Sequence, residues 1–317
     1  MISNLKRATV GQTLCPVVLA CDDAYGMPLA TTLRSAVEAN PDAWPIECHI
    51  LSDRITERTK RKVVASLPQG SAVIRWVAVE LSDFSRFSTA PHISRITYAR
   101  LLIAEILPSH ISRILYLDTD LLVLEDLRAL CNTDLEDAAI GAVVDSFLDQ
   151  ATKQDRAGCE TVPRVSSYFN AGVLVIDLDR WRRSQIAEKA MEYLARHPDS
   201  PYSDQDALNI ACNGQWRKLD SRWNFQEHCH SRIRGLPAKS RPAIVHFITK
   251  SKPWIVKALN ANASLYDSFR SRTSFARTPW ERLRDGQQRF WLRANNFIRR
   301  NLRHRGRYTS PQSPAPS

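Results

Sequence analysis

The sequence lacks several features that would place it in a common class of protein. Its seven cysteines are odd in number, include no CxxC pair and have no regular spacing, so we expect neither a disulfide framework nor a zinc site and favour a reducing cytoplasm. No run approaches the ~20 apolar residues of a membrane-spanning helix, so any membrane contact is expected to be peripheral. Internal repeats are absent, and low complexity is confined to the end of the chain, which is expected to be disordered from about residue 309.

Excess charge is also scarce outside one short region. The formal net charge is +11, but residues 270–307 contain 12 arginines and two acidic residues, which leaves 32 basic and 31 acidic residues elsewhere. The body is therefore nearly neutral and the end of the chain is the basic element. Nucleic acid is not expected as a partner, because the aromatic residues of this basic region fall on the apolar face of its predicted helix and no binding motif accompanies them. At 317 residues and 44% hydrophobic content, it is long enough to bury a substantial core.

Short apolar runs rich in β-branched residues alternate with segments of helical period, which is typical of βα units around a buried, mostly parallel sheet. The predicted strands are 17–20, 46–51, 72–79, 114–117, 139–144, 171–176 and 243–247. The predicted helices are 29–38, 56–66, 98–107, 179–196 and 204–211. Lys6 and Arg7 before the apolar run 10–21 faintly resemble a signal peptide, but Pro16 and several polar residues interrupt that run, so we interpret it as the first strand.

Two carboxylates follow the predicted strand Ile114–Leu117 at a spacing of two residues. Asp118 and Asp120 would present their oxygens at the end of a buried strand, where α/β sheets bind ligands, and hard oxygen donors suit Mg²⁺ or Mn²⁺. Such a pair also caps helices or lies solvated at strand ends. The pair alone is therefore a modest indication of a metal site.

Further motifs accompany this pair in a fixed order. They are His92-Ile93-Ser94, Thr97-Tyr98-Ala99-Arg100-Leu101, Phe169-Asn170-Ala171-Gly172, Asp204-Gln205-Asp206-Ala207-Leu208-Asn209, and His246 with Lys252-Pro253-Trp254. With these motifs the chain resembles glycosyltransferase family 8, in particular its bacterial lipopolysaccharide galactosyl- and glucosyltransferases. The resemblance spans about residues 17–254. It implies an α/β fold of the GT-A type with a Rossmann-like, mostly parallel central sheet flanked by helices, a retaining mechanism and a UDP-sugar donor.

The resemblance also implies roles for individual residues. Asp118, Asp120 and His246 would bind the metal, and the imidazole nitrogen shifts the preference toward Mn²⁺, with Mg²⁺ as the alternative. Lys252 would contact the phosphates. The other implied donor-binding residues are Ala20, Asp22, Asp23, Arg100, Thr119, Asp145, Asn170 and Ala171.

The implied catalytic residue is Gln205, flanked by Asp204 and Asp206. An amide carbonyl is a poor nucleophile, so Gln205 is better suited to stabilising an oxocarbenium-like transition state than to forming a covalent intermediate. A one-step transfer on the face that UDP leaves and a two-step route through Asp204 or Asp206 both stay open. Two positions depart from the family pattern, because Ala24 replaces a polar residue and Thr249 a glycine.

The basic end of the chain predicts an amphipathic helix over residues 283–302. At 100° per residue its apolar side chains fall on one arc and most of its arginines on the other. Such a helix suits the surface of an anionic bilayer, although the apolar arc could instead pack on the catalytic domain. We therefore expect a GT-A catalytic domain at 1–258 and a basic helical appendage at 259–317.

Taken together, these expectations describe a cytoplasmic hexosyltransferase associated peripherally with the inner face of the plasma membrane. It would move galactose or glucose from UDP to a lipopolysaccharide core or another lipid-linked glycan. A non-catalytic sugar-nucleotide-binding or membrane adaptor protein that keeps the fold is the alternative.

Overall fold

The computed structural model describes residues 14–84, 95–151, 163–227, 233, 236–237 and 241–306. The predicted disorder from residue 309 lies outside these residues, as does the motif at 92–94. Within them, no helix is both long enough and apolar enough to cross a membrane.

A seven-stranded sheet forms the centre of the described fold, in the order β3-β2-β1-β4-β7-β6-β8. Its strands are β1 (Val17–Asp22), β2 (Ile46–Asp53), β3 (Ala72–Ala78), β4 (Arg113–Leu117), β6 (Ile140–Val144), β7 (Phe169–Asp177) and β8 (Arg217–Lys218). The strands from β3 to β4 are parallel, β7 runs antiparallel to β4 and β6, and β8 is parallel to β6. A three-stranded sheet joins β5 (Leu121–Val123), β10 (Ile244–His246) and β9 (Phe225–Gln226).

Helices cover both faces of the main sheet. The α-helices of the described residues are α1 (Gly26–Ala39), α2 (Glu57–Val64), α3 (Ile103–Ile106), α4 (Arg128–Cys131), α5 (Leu148–Ala151), α6 (Leu178–Arg183), α7 (Ile186–Arg196), α8 (Ser203–Cys212), α9 (Ala263–Arg270) and α10 (Pro279–Gly306). Along β4, Ile114 and Tyr116 pack into the core on one face, and Leu115 and Leu117 into the core on the other. Because both faces of β4 are covered, the strand is apolar from Ile114 to Leu117.

Two predicted helices differ from those observed. The first half of the predicted helix 98–107 belongs to a 3₁₀-helix, Arg95–Leu102, which is followed by the short α3. The predicted helix 179–196 is divided into α6 and α7 at Gln185, which has a left-handed backbone (φ 53°). Both helices bury apolar side chains, so the apolar positions of the two together have the spacing expected of one long helix.

One disulfide was not foreseen from the irregular cysteine spacing. Cys15, just before β1, is bonded to Cys131 at the end of α4, 116 residues later in the chain. Cys21, Cys48 and Cys212 are buried thiols.

Helix α10 directs a polar side toward the domain. Asp285 is buried, and its Oδ2 lies 2.9 Å from Arg277 Nε. Leu283, Phe290 and Trp291, which belong to the predicted apolar arc, are instead more than half exposed. These three side chains therefore do not pack on the domain.

Candidate active site

The carboxyl ends of β1 and β4 open onto a cavity of about 500 Å³. Because β7 is antiparallel to β4, its first residues lie at the same edge of the sheet. The predicted site residues that line the cavity are Ala20, Arg100, Asp118, Thr119, Asp120, Asp145, Asn170, Asp204, Gln205, His246 and Lys252. Residues far apart in the sequence are thus gathered around one space.

The acidic pair and the histidine meet because of strand pairing. Asp118 and Asp120 occupy the short link between β4 and β5, and His246 of β10 is paired with Leu121 of β5. His246 Nε2 lies 3.3 Å from Asp120 Oδ1 and 3.7 Å from Asp118 Oδ2, and the three potential ligand atoms are within 4.8 Å of one another. The described residues therefore contain a cluster able to hold a metal ion.

Asn224 sets which nitrogen of His246 faces the carboxylates. Asn224 Nδ2 donates to Asn170 Oδ1 (2.8 Å), which leaves Asn224 Oδ1, 3.0 Å from His246 Nδ1, as an acceptor. His246 Nδ1 therefore carries a proton, and Nε2 is the nitrogen that faces Asp118 and Asp120. Nε2 is thus the nitrogen of His246 that a metal ion in this cluster would meet.

Gly172 of β7 leaves the space that the cluster occupies. A Cβ at this position would lie 2.1 Å from His246 Cε1 and 2.8 Å from Asp118 Oδ2, far inside normal contact distances. Two carboxylates and an imidazole are also a donor set that Mn²⁺ accepts. The residues present therefore fit a divalent ion.

Two cations also contact the acidic pair. Lys252 Nζ donates to Asp120 Oδ2 and to the carbonyl oxygen of Phe247, both at 2.5 Å. Burial would raise the pKa of Asp120, but Lys252 and His246 outweigh burial and hold that pKa below its ordinary value. Asp120 is therefore an ionised acceptor.

Arg100 ties the acidic pair to helix α8. Its Nη2 donates to Asp118 Oδ1 (2.8 Å), its Nη1 donates to the carbonyl oxygen of Ala171 (2.6 Å), and its Nε lies 2.8 Å from Asp204 Oδ2. Burial alone would lower the pKa of Arg100, but Asp118 and Asp204 raise it, so the guanidinium stays charged.

At the other end of this ion pair, burial raises the pKa of Asp204 to about 6, although Arg100 and a hydrogen bond from Thr97 oppose the shift. The charge of Asp204 is therefore sensitive to pH near neutrality.

Gln205 and Asp145 meet beside the beginning of β7. The backbone N–H of Ala171 donates to Gln205 Oε1 (2.9 Å), which fixes the orientation of the amide. Gln205 Nε2 and Asn170 Nδ2 both approach Asp145 Oδ2, at 3.5 Å and 3.2 Å. Amide and carboxylate groups in this arrangement are suited to binding sugar hydroxyls.

Four predicted site residues lie outside the cavity lining. Asp22 Oδ1 accepts from the N–H of Tyr25 (3.1 Å), and Asp23 Oδ1 accepts from the N–H and the hydroxyl of Thr56 (both 2.8 Å). Ala171 contributes its backbone, and Asp206 is fully buried behind Gln205. The donor contacts predicted for Asp22 and Asp23 stay predictions.

The cavity also has members that were not predicted. They are Tyr25, Ile96, Thr97, Tyr116, Phe147, Leu148, Tyr202, Ile248 and Thr249. Phe147 is half exposed although it is aromatic, and it follows Asp145 by two residues. An apolar side chain so close to a strand-end carboxylate is the one local signal that could have indicated it.

The mostly parallel sheet with a metal-compatible cluster after a central strand defines an α/β protein of the GT-A type. A family model described as glycosyl transferase family 8 matches residues 16–258. General stress protein A of Bacillus subtilis is 27% identical over 252 residues, which cover 75% of this chain and 86% of that protein. The lipopolysaccharide 1,3-galactosyltransferase of Salmonella typhimurium is 29% identical over 249 residues, which cover 75% of this chain and 72% of that protein.

Solved structures agree with this match. The galactosyltransferase LgtC in complex with donor and acceptor sugar analogs is 31% identical with a TM-score of 0.70, covering 84% of this chain and 98% of that chain. An active-site mutant of LgtC in which glutamate replaces a glutamine is 30% identical with a TM-score of 0.71 and the same coverage. The chain belongs to glycosyltransferase family 8, and both the family and the GT-A fold predicted from the sequence are confirmed.

Proposed function

We propose that this family 8 glycosyltransferase moves galactose or glucose from a UDP-sugar to a lipopolysaccharide core or another lipid-linked glycan, with retention of configuration and with Mn²⁺ or Mg²⁺. The observation that carries the proposal is the cluster of Asp118, Asp120 and His246 in a cavity that Gln205 also lines. The Salmonella relative is named for galactosyl transfer to lipopolysaccharide, and the LgtC structure contains donor and acceptor sugar analogs.

The donor would bind with its diphosphate beside the acidic pair. Asp118, Asp120 and His246 would hold the divalent ion, which, when bound, neutralises the charge that builds on the diphosphate as it leaves. Lys252, whose ammonium group already lies at Asp120, is placed to contact the same phosphates. Lys252 and Arg100 offset part of the negative charge of Asp118 and Asp120, and a bound divalent ion would supply the further positive charge that an anionic donor requires.

The groups expected beside the sugar support the proposed retention of configuration. Gln205 offers an amide oxygen that stabilises positive charge at the anomeric carbon, and the acceptor hydroxyl attacks on the face that UDP leaves, with a phosphate oxygen taking its proton. Asp204 is engaged by Arg100 and Thr97, and Asp206 is buried. These contacts support the one-step route over a covalent route through Asp204 or Asp206.

The surface of α10 supports a membrane-bound acceptor. Trp280, Leu283, Phe290 and Trp291 are all more than half exposed, and Trp280 is the most exposed at 79%. Aromatic side chains beside arginines match the headgroup region of an anionic bilayer, where the rings enter the interface and the arginines meet phosphates. We infer from this surface that the enzyme works at the inner face of the plasma membrane.

The direct test is hydrolysis of the donor in water, measured as release of UDP. The purified protein with Mn²⁺ is expected to hydrolyse UDP-galactose or UDP-glucose slowly, and EDTA or Asp120→Asn is expected to abolish this. Asp126→Asn is the matched control, because Asp126 pairs with Arg128 away from the cavity. A panel of UDP-sugars would identify the hexose.

Each outcome has a clear meaning. Hydrolysis that survives Asp120→Asn would contradict the metal assignment. Tight UDP binding by the unaltered protein without hydrolysis or transfer to any acceptor would favour the non-catalytic alternative.

A further inference from the structure

Asp206 is the most deeply buried of the three consecutive residues Asp204, Gln205 and Asp206 in the first turn of helix α8. Its side chain has no exposed surface, and both of its oxygens are occupied. Oδ1 accepts from the Tyr168 hydroxyl (2.5 Å), and Oδ2 accepts from the Ser200 hydroxyl (2.5 Å) and the N–H of Tyr202 (3.0 Å). A carboxylate in this position has no lone pair directed at a sugar in the cavity.

Tyr168, just before β7, lies between Asp206 and Gln205. It is also fully buried. Burial and the neighbouring charge of Asp206 raise the pKa of Tyr168 well above its ordinary value, so the phenol keeps its proton and donates it to Asp206. The oxygen of Tyr168 is therefore free to act only as an acceptor toward other groups.

Gln205 supplies a donor to that oxygen. Its Oε1 accepts from the N–H of Ala171, so its Nε2 is the end directed at Tyr168 Oη, 3.5 Å away. This separation is at the long end of the hydrogen-bond range, and catalytic hydrogen bonds commonly shorten when substrate binds. The result is a continuous chain from the carboxylate of Asp206 through a phenol to the amide that lines the cavity.

We propose that Asp206 is a positioning residue for Gln205 that acts through the hydroxyl of Tyr168, and that it is not a nucleophile. The inference rests on the proposed retaining transfer. The charge of Asp206 draws the phenolic proton, which makes Tyr168 Oη a stronger acceptor for the N–H of Gln205. Hydrogen bonds in such a chain polarise one another, so the carbonyl oxygen of Gln205 gains negative charge where the sugar becomes positive.

The test compares donor hydrolysis by Tyr168→Phe, Asp206→Asn and the double variant. Each single change is expected to lower kcat by about 10- to 100-fold, the usual effect of losing a group that orients a catalytic one, with KM for the donor changed less than about 2-fold. The double variant should be no slower than the slower single variant, because both changes break the same chain. Tyr193→Phe is the matched control, since Tyr193 lies one contact further out, 3.4 Å from Ser200.

Thermal unfolding and UDP binding with Mn²⁺ accompany the kinetics. Tyr168→Phe keeps the buried ring, so it carries the test even where Asp206→Asn fails to fold. Wild-type kcat in Tyr168→Phe would overturn the inference, and so would additive losses in the double variant. Absence of hydrolysis in the unaltered protein would contradict the proposed function instead, which separates the two failures.

Discussion

Replacing Gly172 with alanine is expected to weaken binding of the divalent ion without unfolding the domain. The added Cβ would lie 2.1 Å from His246 Cε1, 2.7 Å from His246 Nδ1 and 2.8 Å from Asp118 Oδ2. One methyl group thus collides with two of the three residues proposed to hold the metal.

The size of the effect follows from how far His246 must move. Ordinary carbon contacts are about 3.5–4.0 Å, so the imidazole must retreat by roughly 1.4 Å or more. It cannot retreat easily, because it is buried, its Nδ1 is bonded to Asn224, and its backbone belongs to β10. A displacement of about 1 Å in a catalytic group costs on the order of 100-fold in rate, and overpacking a core costs about 1–3 kcal/mol of stability.

The assay is the Mn²⁺ dependence of UDP-hexose hydrolysis, with thermal unfolding measured in parallel. The half-saturating Mn²⁺ concentration of Gly172→Ala is expected to rise by about 10- to 100-fold. Gly141→Ala in neighbouring β6 is the control, because its Cβ would lie 2.7 Å from the flexible end of Leu135. It should lose stability but keep the Mn²⁺ dependence. Unchanged half-saturation in Gly172→Ala would refute the reasoning.

Two further predictions concern pH and membranes. Because the pKa of Asp204 is raised to about 6 by burial, hydrolysis that needs its ion pair with Arg100 should fall below about pH 6, and a pH–rate profile of Asp204→Asn should lack that step. This carboxyl should also make the fold less stable as pH rises from about 4 to 6, so the wild type should lose stability relative to Asp204→Asn over that range in thermal unfolding. The double substitution Trp280→Ser and Trp291→Ser should reduce sedimentation of the protein with anionic vesicles, whereas Trp44→Ser, at another exposed tryptophan, should not. If the double variant sediments as well as the wild type, another surface binds the membrane.

The sheet and the acidic pair were predictable because their signals are local. The apolar run 114–117 reads as a buried strand, and a carboxylate pair directly after it must emerge at the sheet edge. His246 carries no such signal, since it lies at the end of a short strand of another sheet, and only the family resemblance indicated it. Gly172 and Tyr168 were missed as functional residues, because each matters through contacts with residues that are distant in the sequence: His246 and Asp118 for Gly172, and Asp206 and Gln205 for Tyr168.

The amphipathic pattern of α10 shows a different limit. A helix whose apolar arc packs on a domain and one whose arc remains exposed have the same periodicity, so the sequence left both open. In the structure, ion pairs from the polar side of α10 separate the two cases, among them Arg289 with Asp267 of α9. Asp285 faces the domain and meets Arg277, which turns Phe290 and Trp291 outward.

From the sequence alone, Asp204, Gln205 and Asp206 are equally plausible as residues that contact the sugar. In helix α8 their side chains point in different directions. Successive positions are rotated by about 100°, so adjacent side chains face different surroundings. Asp204 reaches Arg100 at the cavity wall, Gln205 meets Asp145, and Asp206 is directed away from the cavity to Tyr168 and Ser200. A nucleophile must contact the sugar, and of the two carboxylates only Asp204 lines the cavity. Its oxygens already contact Arg100 and Thr97. Within the proposed retaining transfer, this arrangement supports one step assisted by Gln205 over a covalent route through either carboxylate.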